Sequence, residues 1–348
     1  MLKNNINLLI VASVLWFSAC TRSLTFQALT PAEITLPSNV KKIALVNAAV
    51  PSQENRNVLE GLITGELPGQ DKQGRQAVLM TLLSNLQNSP AFTFTLAQEE
   101  LKGSKSGSEF PIALSGNEVA NLCNKYGADA LVVLEHYDSD CIPGVANVKK
   151  EKVTNKDGTT SEKTFYEVVQ IGNVKAGFRV YEKAGKIIDQ FEIKRNMSWT
   201  TRGDSPLQAV ASTIARVDYM NNLSKNIGAQ YSSHIAPYWI TLARDYYRKG
   251  KNPLLKIGSR YAATNDWDNA QKSFLDVINQ EGGLGKDAAR AYYNLGLCYE
   301  MKGDLYKAKD AVSKSYAIGG KGMALNYANI LTNRINTEQL LDQQMHNK

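Results

Sequence analysis

Hydrophobic and polar positions follow two different periods along this chain of 348 residues. In the first half, continuous apolar runs predict buried strands at Lys42 to Val46 and Ala130 to Leu134, and residues 92–96 alternate between large apolar residues and Thr. After Pro237, apolar residues recur only at helical spacing. The pattern therefore predicts an α/β part followed by an all-helical part.

The connections in the first half support a mixed sheet. An amphipathic helix is predicted over residues 75–88, and a second helix begins at the S-x-x-E capping box of Ser115 and Glu118 and ends at Gly127. This second helix leads directly into the Ala130 run. A short helix followed by a continuous apolar run is typical of a core strand covered on both faces.

Two longer strands follow, over residues 166–181 and 187–199, and they form a long hairpin joined at residues 183–186. The charged stretch 149–163 contains Asp157-Gly158 and is interpreted as a flexible excursion or a hairpin tip. Ser205 then caps a helix with Pro206 at its first position.

The helical part is self-similar. Two sets of residues share one internal spacing, and both have an Asp at the turn between helices. This spacing resembles the tetratricopeptide repeat, which implies paired helices that approach closely at small residues and usually about three units to bury a continuous core. Helices at residues 238–247 and 323–335 are expected as end caps. The two sets are Ile257, Gly258, Tyr261, Trp267, Ala270 and Phe274, and Leu295, Gly296, Tyr299, Leu305, Ala308 and Val312.

The amino terminus resembles a lipoprotein signal. Lys3 precedes an apolar stretch that is much shorter than the roughly 20 residues of a membrane span, and Ser18-Ala19-Cys20 closes it. Phe17 departs from the Leu that is usual in the bacterial lipobox. The resemblance implies cleavage before Cys20 and acylation of that residue, and the alternative is an ordinary secretory signal with a chance Cys.

The residues after Cys20 suggest a location. Thr21 and Arg22 include no Asp of the kind that retains many enteric lipoproteins at the inner membrane, and no acidic cluster follows. We therefore expect an outer-membrane lipoprotein facing the periplasm, with display on the cell surface as the alternative.

The first half has a further resemblance. The order of strand, helix and a helix ending in Gly127-Ala128-Asp129 before an apolar strand is similar to the amino-terminal domain of TolB and to the curli-secretion lipoprotein. With the lipobox and the repeats, the chain resembles a family of bacterial lipoproteins of uncharacterised function. This resemblance implies a fold and no activity.

Charge and cysteine content narrow the kinds of partner and of cysteine chemistry to be expected. Removing residues 1–19 takes away Lys3 and no acid, so the formal charge of +7 becomes +6. Acids and bases are interleaved, which favours solubility and affinity for anionic lipid or glycan over a nucleic-acid partner. Cys123 and Cys141 are open to disulfide pairing in an oxidising compartment, whereas Cys298 is expected to be a buried, inert thiol.

The search for catalytic chemistry is mostly negative. No P-loop, H-E-x-x-H or G-x-S-x-G pattern is present, and three histidines make a multi-histidine zinc site improbable. The best cluster follows the Ala130 strand, but successive strand residues point to opposite faces, so we expect a solvated strand end. The sequence predicts no catalytic, metal or cofactor site. The cluster comprises Glu135, His136, Asp138, Asp140 and Cys141.

Contact with a partner is instead expected on the concave face of the repeats. By match to the tetratricopeptide pattern, the inner-helix positions that do not pack are the candidates, and some of them resemble groups that grip a peptide carboxylate. Tyr293 is a large, amphipathic contact candidate. The alternative is an array that only braces the first domain. The predicted groove residues are Lys256, Ser259, Arg290, Tyr293 and Asn294, with Ala262 and Leu297 beside them.

These observations predict an α+β protein with four segments: a signal peptide at 1–19, a tether at 20–35, an α/β sandwich at 36–232 with a mixed sheet and long hairpin, and an all-α tetratricopeptide-repeat domain at 233–348. We expect a membrane-anchored, non-enzymatic adaptor with an unknown protein or peptide partner. The alternatives are a subunit of an outer-membrane secretion or assembly machine, and a hydrolase using Asp138 or Asp140.

Overall fold

The computed structural model describes residues 21–50, 69–103, 108–154, 156–210 and 213–346. Cys20 and the predicted signal peptide lie outside the described residues. The chain divides into two compact units, one containing Pro31–Tyr238 and the other containing residues 21–30 together with Trp239–Asp342. An amino-terminal sheet domain and a carboxyl-terminal helical region are therefore confirmed.

The first unit is built on a five-stranded mixed sheet. Its strands lie in the order β3-β2-β4-β5-β6, where β2 pairs in parallel with β3 and β4, and β5 pairs antiparallel with β4 and β6. The strands are β2 (Lys42–Val50), β3 (Thr93–Lys102), β4 (Ala130–Thr154), β5 (Thr160–Glu182) and β6 (Ile187–Gly203).

Four helices of the described residues accompany this sheet. They are α1 (Gln70–Leu86), α2 (Gly116–Tyr126), α3 (Pro206–Val210) and α4 (Thr213–Ile235). Apolar residues of α1 and α4 pack on one face of the sheet, and those of α2 pack on the other. Because both faces are covered, every residue from Ala130 to Leu134 is at most 1% exposed. The predicted capping box of Ser115 and Glu118 is also confirmed.

The long hairpin extends further than the sequence indicated. β4 continues from Ala130 to Thr154 and pairs with β5 along its length, with Thr154 opposite Thr160. Asp157 and Gly158 lie at its tip, where Gly158 has a φ of 82°. The charged stretch 149–163 is therefore a hairpin tip and not an excursion from the sheet.

The second unit contains a two-stranded sheet and five helices. The sheet consists of β1 (Thr21–Thr30) and β7 (Tyr238–Tyr247). The helices are α5 (Pro253–Ala263), α6 (Trp267–Gln280), α7 (Gly285–Met301), α8 (Leu305–Gly319) and α9 (Gly322–His346). Successive helices from α5 to α8 pack on one another. Asp266 caps α6 and Asp304 caps α8 with equivalent hydrogen bonds.

One expectation for this unit needs correction, because residues 238–247 form strand β7 and not an end-cap helix. Within the predicted tether, residues 21–30 form strand β1 and pair with β7. Along β7, Arg244 and Tyr246 are buried while Asp245 is exposed. This is the period of a strand, but a charged residue at a buried position hides it from a hydrophobicity pattern.

Candidate functional site

The five side chains predicted to line a groove belong to α5 and α7. Lys256 is exposed, whereas Ser259, Tyr293 and Asn294 are 7%, 3% and 1% exposed. Three of the five are therefore not open to a partner in this structure. The expectation that they form an empty binding groove is wrong, because the chain's own residues 247–249 occupy it.

Asn294 makes the most specific of these contacts. Its Oδ1 accepts a hydrogen bond of 2.8 Å from the backbone N–H of Tyr247, and its Nδ2 donates one of 2.8 Å to the backbone C=O of the same residue. A side-chain amide thus satisfies both main-chain groups of an extended residue. Main-chain groups buried without such partners would be costly, so this contact fixes the end of β7 on α7.

Two other predicted groove residues continue this contact. The hydroxyl of Ser259 donates 2.9 Å to the C=O of Arg248, and Nη1 of Arg290 donates 3.2 Å to the C=O of Lys249. The Arg290 guanidinium also lies 5.3 Å from the centre of the Tyr247 ring. The inner helices therefore do grip an extended backbone, but that backbone belongs to the same chain.

A buried ion pair fixes the middle of β7. Nε and Nη2 of Arg244 donate to the two carboxylate oxygens of Glu300 on α7, at 3.0 and 2.9 Å. The Glu300 side chain is fully buried, and it also accepts from Tyr327 at 2.5 Å and from Arg334, both on α9. Such a carboxylate is stable in the interior only because every donor is in place.

Sequence reasoning missed this pair. Tyr293, Leu297 and Glu300 lie at i, i+4 and i+7 on α7, so they share one buried stripe. A charged residue on an otherwise apolar stripe was a signal that a buried partner exists elsewhere in the chain. The partner, Arg244, was assigned to a helix and its alternation was not considered.

Strand β1 completes this sheet, and no other strand of the described residues pairs with its outer edge. Among the described residues, β7 is the only strand that pairs with β1, and no other backbone hydrogen bond to residues 21–30 is present. Leu24 packs against the helical core, and Phe26 lies 5.6 Å from the Arg244 guanidinium. Thr25 and Gln27 are exposed.

The cluster that follows the Ala130 strand is buried and not solvated as expected. Glu135 is 1% exposed and His136 is fully buried. The pairing of β4 with β5 shifts register between Leu134 and His136, so Glu135 is an extra residue in a bulge. In a regular strand, Glu135 and His136 would point to opposite faces of the sheet, which is why a solvated strand end was expected. The bulge breaks this alternation, so both side chains are buried.

Glu135 and His136 share partners on β5 and in the nearby loop. Glu135 accepts 2.5 Å from the hydroxyl of Tyr181 and lies 3.6 Å from Nη1 of Arg179. The His136 ring packs edge-on against Phe110 at 4.7 Å, and Arg179 lies 4.8 Å from the centre of the same Phe110 ring.

Burial dominates the electrostatics of Glu135 and His136. Burial raises the pKa of Glu135, which Tyr181 and Arg179 oppose, and burial lowers the pKa of His136 to about 4. His136 is therefore neutral near pH 7, and Glu135 already has a donor. Glu135 also borders a cavity of about 560 Å³ near the carboxyl ends of β2 and β3, together with Lys102, Glu118 and several apolar residues.

The remaining members of the predicted cluster are separated from this pair. Asp138 and Asp140 are only partly buried, and burial raises the pKa of Asp140. Cys141 packs in the core on the α1 side of the sheet, while Cys123 packs on the α2 side. These two thiols lie on opposite sides of the sheet and are not joined by a disulfide. Burial raises the pKa of Cys298 to about 12, as expected for an inert thiol.

In the part of the chain that the structure describes, no group of three or more His, Cys, Asp or Glu side chains is arranged to hold a metal ion. None of the helices in the same ranges is both long enough and apolar enough to cross a membrane.

Comparisons with known proteins give the following matches. The family described as "Domain of unknown function (DUF8603)" matches residues 40–247, and "Domain of unknown function (DUF6340)" matches residues 256–333. No curated protein matches the sequence. The chain is similar to the crystal structure of a minor lipoprotein from Acinetobacter baumannii, at 11% identity over 56% of this chain and 94% of that chain, with a TM-score of 0.23. A similarity at that TM-score carries no argument about function.

Proposed function

This chain belongs to the DUF8603 family, and we propose that it is a non-enzymatic, lipid-anchored adaptor of the outer membrane that binds a partner protein along strand β1. The anchor is Cys20, and the surface is the sheet of β1 and β7 carried on the helical unit. The observation that carries the proposal is the unpaired edge of β1.

The edge has the properties of a template for strand addition. β1 is ten residues long, contains no Pro and has one charged residue, Arg22 at its beginning. Proteins usually block an exposed edge of this length with Lys, Pro or a bulge, because unpaired N–H and C=O groups recruit other strands. A partner segment that adds to such an edge gains main-chain hydrogen bonds, and its side chains give specificity.

The helical unit supports this role as a rigid platform. Two close contacts between its helices support tetratricopeptide-like pairing, since Gly258 lies against Phe274 and Gly296 lies against Val312. The concave surface of this array holds β7 through Asn294 and Glu300. In this proposal the repeats present a strand and do not hold the partner in their groove, which replaces the expected role of Ser259, Tyr293 and Asn294.

The position of β1 next to the anchor at Cys20 also favours binding of a partner protein. Arg22 follows Cys20 by two residues, so an acyl anchor at Cys20 would hold the edge close to the membrane. Two or more acyl chains are needed for stable anchoring, since one chain binds only marginally. Confinement to one surface raises the effective concentration of weakly interacting partners. The anchor is tested by the intact mass of the native protein, which should correspond to residues 20–348 plus acyl chains.

The partner surface is tested by two matched double variants. Thr25→Lys with Gln27→Lys places charges on the exposed side of β1, and Thr241→Lys with Ala243→Lys does the same on β7. Chemical crosslinking in cells should capture the partner with the wild type and the β7 variant and lose it with the β1 variant. If both variants lose the partner equally, the partner binds to the face of the sheet and not to the edge of β1. If both variants capture it fully, the proposal is contradicted.

A further inference from the structure

A second surface of the helical unit has a different chemistry. A cleft of about 150 Å³ is lined by five basic residues and one hydroxyl, with no acidic residue. The lining residues come from three elements that are distant in sequence, because β1, the segment after β7 and helix α5 meet there. They are Arg22, Arg248, Lys249, Lys256, Ser259 and Arg260.

The positive charge of this cleft is not neutralised by the protein. Elsewhere in the same unit, Arg244 pairs with Glu300 and Lys302 pairs with Asp268. Within the described ranges, none of the five basic side chains of the cleft forms an ion pair with a carboxylate. Like charges brought together without acids raise the local potential and favour an anionic ligand.

Helix α5 adds an apolar strip beside the cleft. Ile257 is 40% exposed and Tyr261 is 38% exposed, although the repeat pattern predicted both as packing residues. They are four residues apart on α5, directly beside Lys256 and Arg260, which have the same spacing. A helix face that combines Lys and Arg with exposed aliphatic and aromatic side chains is typical of contact with a lipid interface.

The sequence places this surface next to the proposed anchor. Two residues of extended chain span at most about 7 Å, so Arg22 would lie near the membrane if Cys20 is acylated. We propose that the cleft binds the phosphate of an anionic phospholipid headgroup in the membrane that holds the anchor, with Ile257 and Tyr261 at the level of the headgroups. This inference rests on the proposed lipid anchor, and it adds a second, electrostatic contact that orients the helical unit.

The test uses the mature chain with Cys20→Ser, so that vesicle binding does not depend on acylation. Co-sedimentation is compared on vesicles of phosphatidylcholine alone and on vesicles that also contain phosphatidylglycerol. The variant carries Lys249→Gln, Lys256→Gln and Arg260→Gln, and the control carries Lys272→Gln, Lys286→Gln and Lys321→Gln. All six side chains are exposed, so both variants lose the same charge without loss of packing.

The proposal predicts binding only to the vesicles that contain phosphatidylglycerol. The cleft variant should bind more weakly, by about fivefold for each cation removed, because a cation near an anionic leaflet contributes on that scale. The control should bind like the Cys20→Ser parent. Added salt should weaken the binding of both proteins to the anionic vesicles. Equal weakening in both variants, or no binding of the parent to anionic vesicles, would overturn the proposal.

Two further results separate the possible ligands. Titration with inorganic phosphate should show no binding tight enough to release the protein from vesicles, since the apolar strip contributes only at a membrane. Release by phosphate would assign the cleft to a soluble anion and overturn the lipid proposal. The anchor is judged separately by the intact mass of the native chain, so failure at Cys20 and failure at the cleft give different outcomes.

Discussion

The side-chain amide of Asn294 bonds to both the N–H and the C=O of Tyr247, each at 2.8 Å. This relationship explains why the inner faces of α5 and α7 do not form an open groove. It also makes the contact of Asn294, together with the Arg244–Glu300 pair, part of what holds β1, because β1 pairs with β7 and with no other strand of the described chain.

Replacing Asn294 by Ala should loosen β7. The substitution leaves two main-chain groups of Tyr247 without partners in a largely buried site, which costs about 1–3 kcal/mol of unfolding free energy. Amide exchange of the peptide covering residues 240–250 should become faster. Asn279→Ala, at an exposed position on α6, is the control and should leave that exchange unchanged.

The Arg244 and Glu300 pair should matter more than any surface pair. Glu300→Gln removes the negative charge that compensates a buried guanidinium, and breaking a buried pair in this way costs about 3–5 kcal/mol. Asp268→Ala removes the partner of Lys302 on the surface and should cost at most about 1 kcal/mol. Urea unfolding of both variants measures the difference, and similar costs would show that the buried pair is not needed.

Close packing between repeat helices predicts a selective effect of glycine substitution. A Cβ on Gly296 would lie 2.3 Å from Cγ2 of Val312 and 3.0 Å from the C=O of Ala308. Gly296→Ala should therefore lower the unfolding free energy by about 1–3 kcal/mol, as overpacking usually does. Gly322→Ala is the matched control on α9, because nothing lies within 4 Å of its Cβ position. If both variants are equally stable, the helices do not pack as tetratricopeptide-like pairs.

Stability of the sheet unit should depend on pH through His234. Its Nδ1 lies 2.7 Å from Glu33 and its Nε2 lies 3.2 Å from Asp189. Burial alone lowers the pKa of His234, but the two carboxylates outweigh it and raise the pKa above 6.5. The imidazolium is thus favoured in the folded state, so its contribution is fully present below pH 6.5 and is lost as pH rises through the folded pKa.

Comparison with His234→Gln isolates this contribution. The wild type should exceed the variant in unfolding free energy more at about pH 5.5 than at about pH 8.5. His136 has the opposite sign, since its pKa is lowered to about 4 and its contribution is lost as pH falls. Because His136 is present in both proteins, its effect cancels. A difference that grows with pH would show that the carboxylates do not hold His234 charged.

The sequence predicted the elements whose pattern is local. The apolar run from Ala130 to Leu134 and the capping box at Ser115 each report a local preference that the fold keeps. The register of strand pairing was not predicted. The bulge at Glu135 is a property of the register between β4 and β5, which no single strand encodes.

The same reasoning explains the error in the candidate groove. Asn294 and Ser259 both bond to the backbone of residues 247–248. Their role was misjudged because β7 was taken for a helix, so its backbone was not available as a ligand. Arg244 is the origin of that error, since a strand that buries a charge against Glu300 has no hydrophobic alternation to detect.

The most direct test of the account is amide exchange of β1 in the complex with the captured partner. If a partner strand adds to the open edge, alternate amides among residues 21–30 should gain protection relative to the free protein, while the amides of β7 that already bond to β1 change little. Unchanged exchange throughout β1 in a stable complex would contradict the central claim, because the partner would then bind elsewhere.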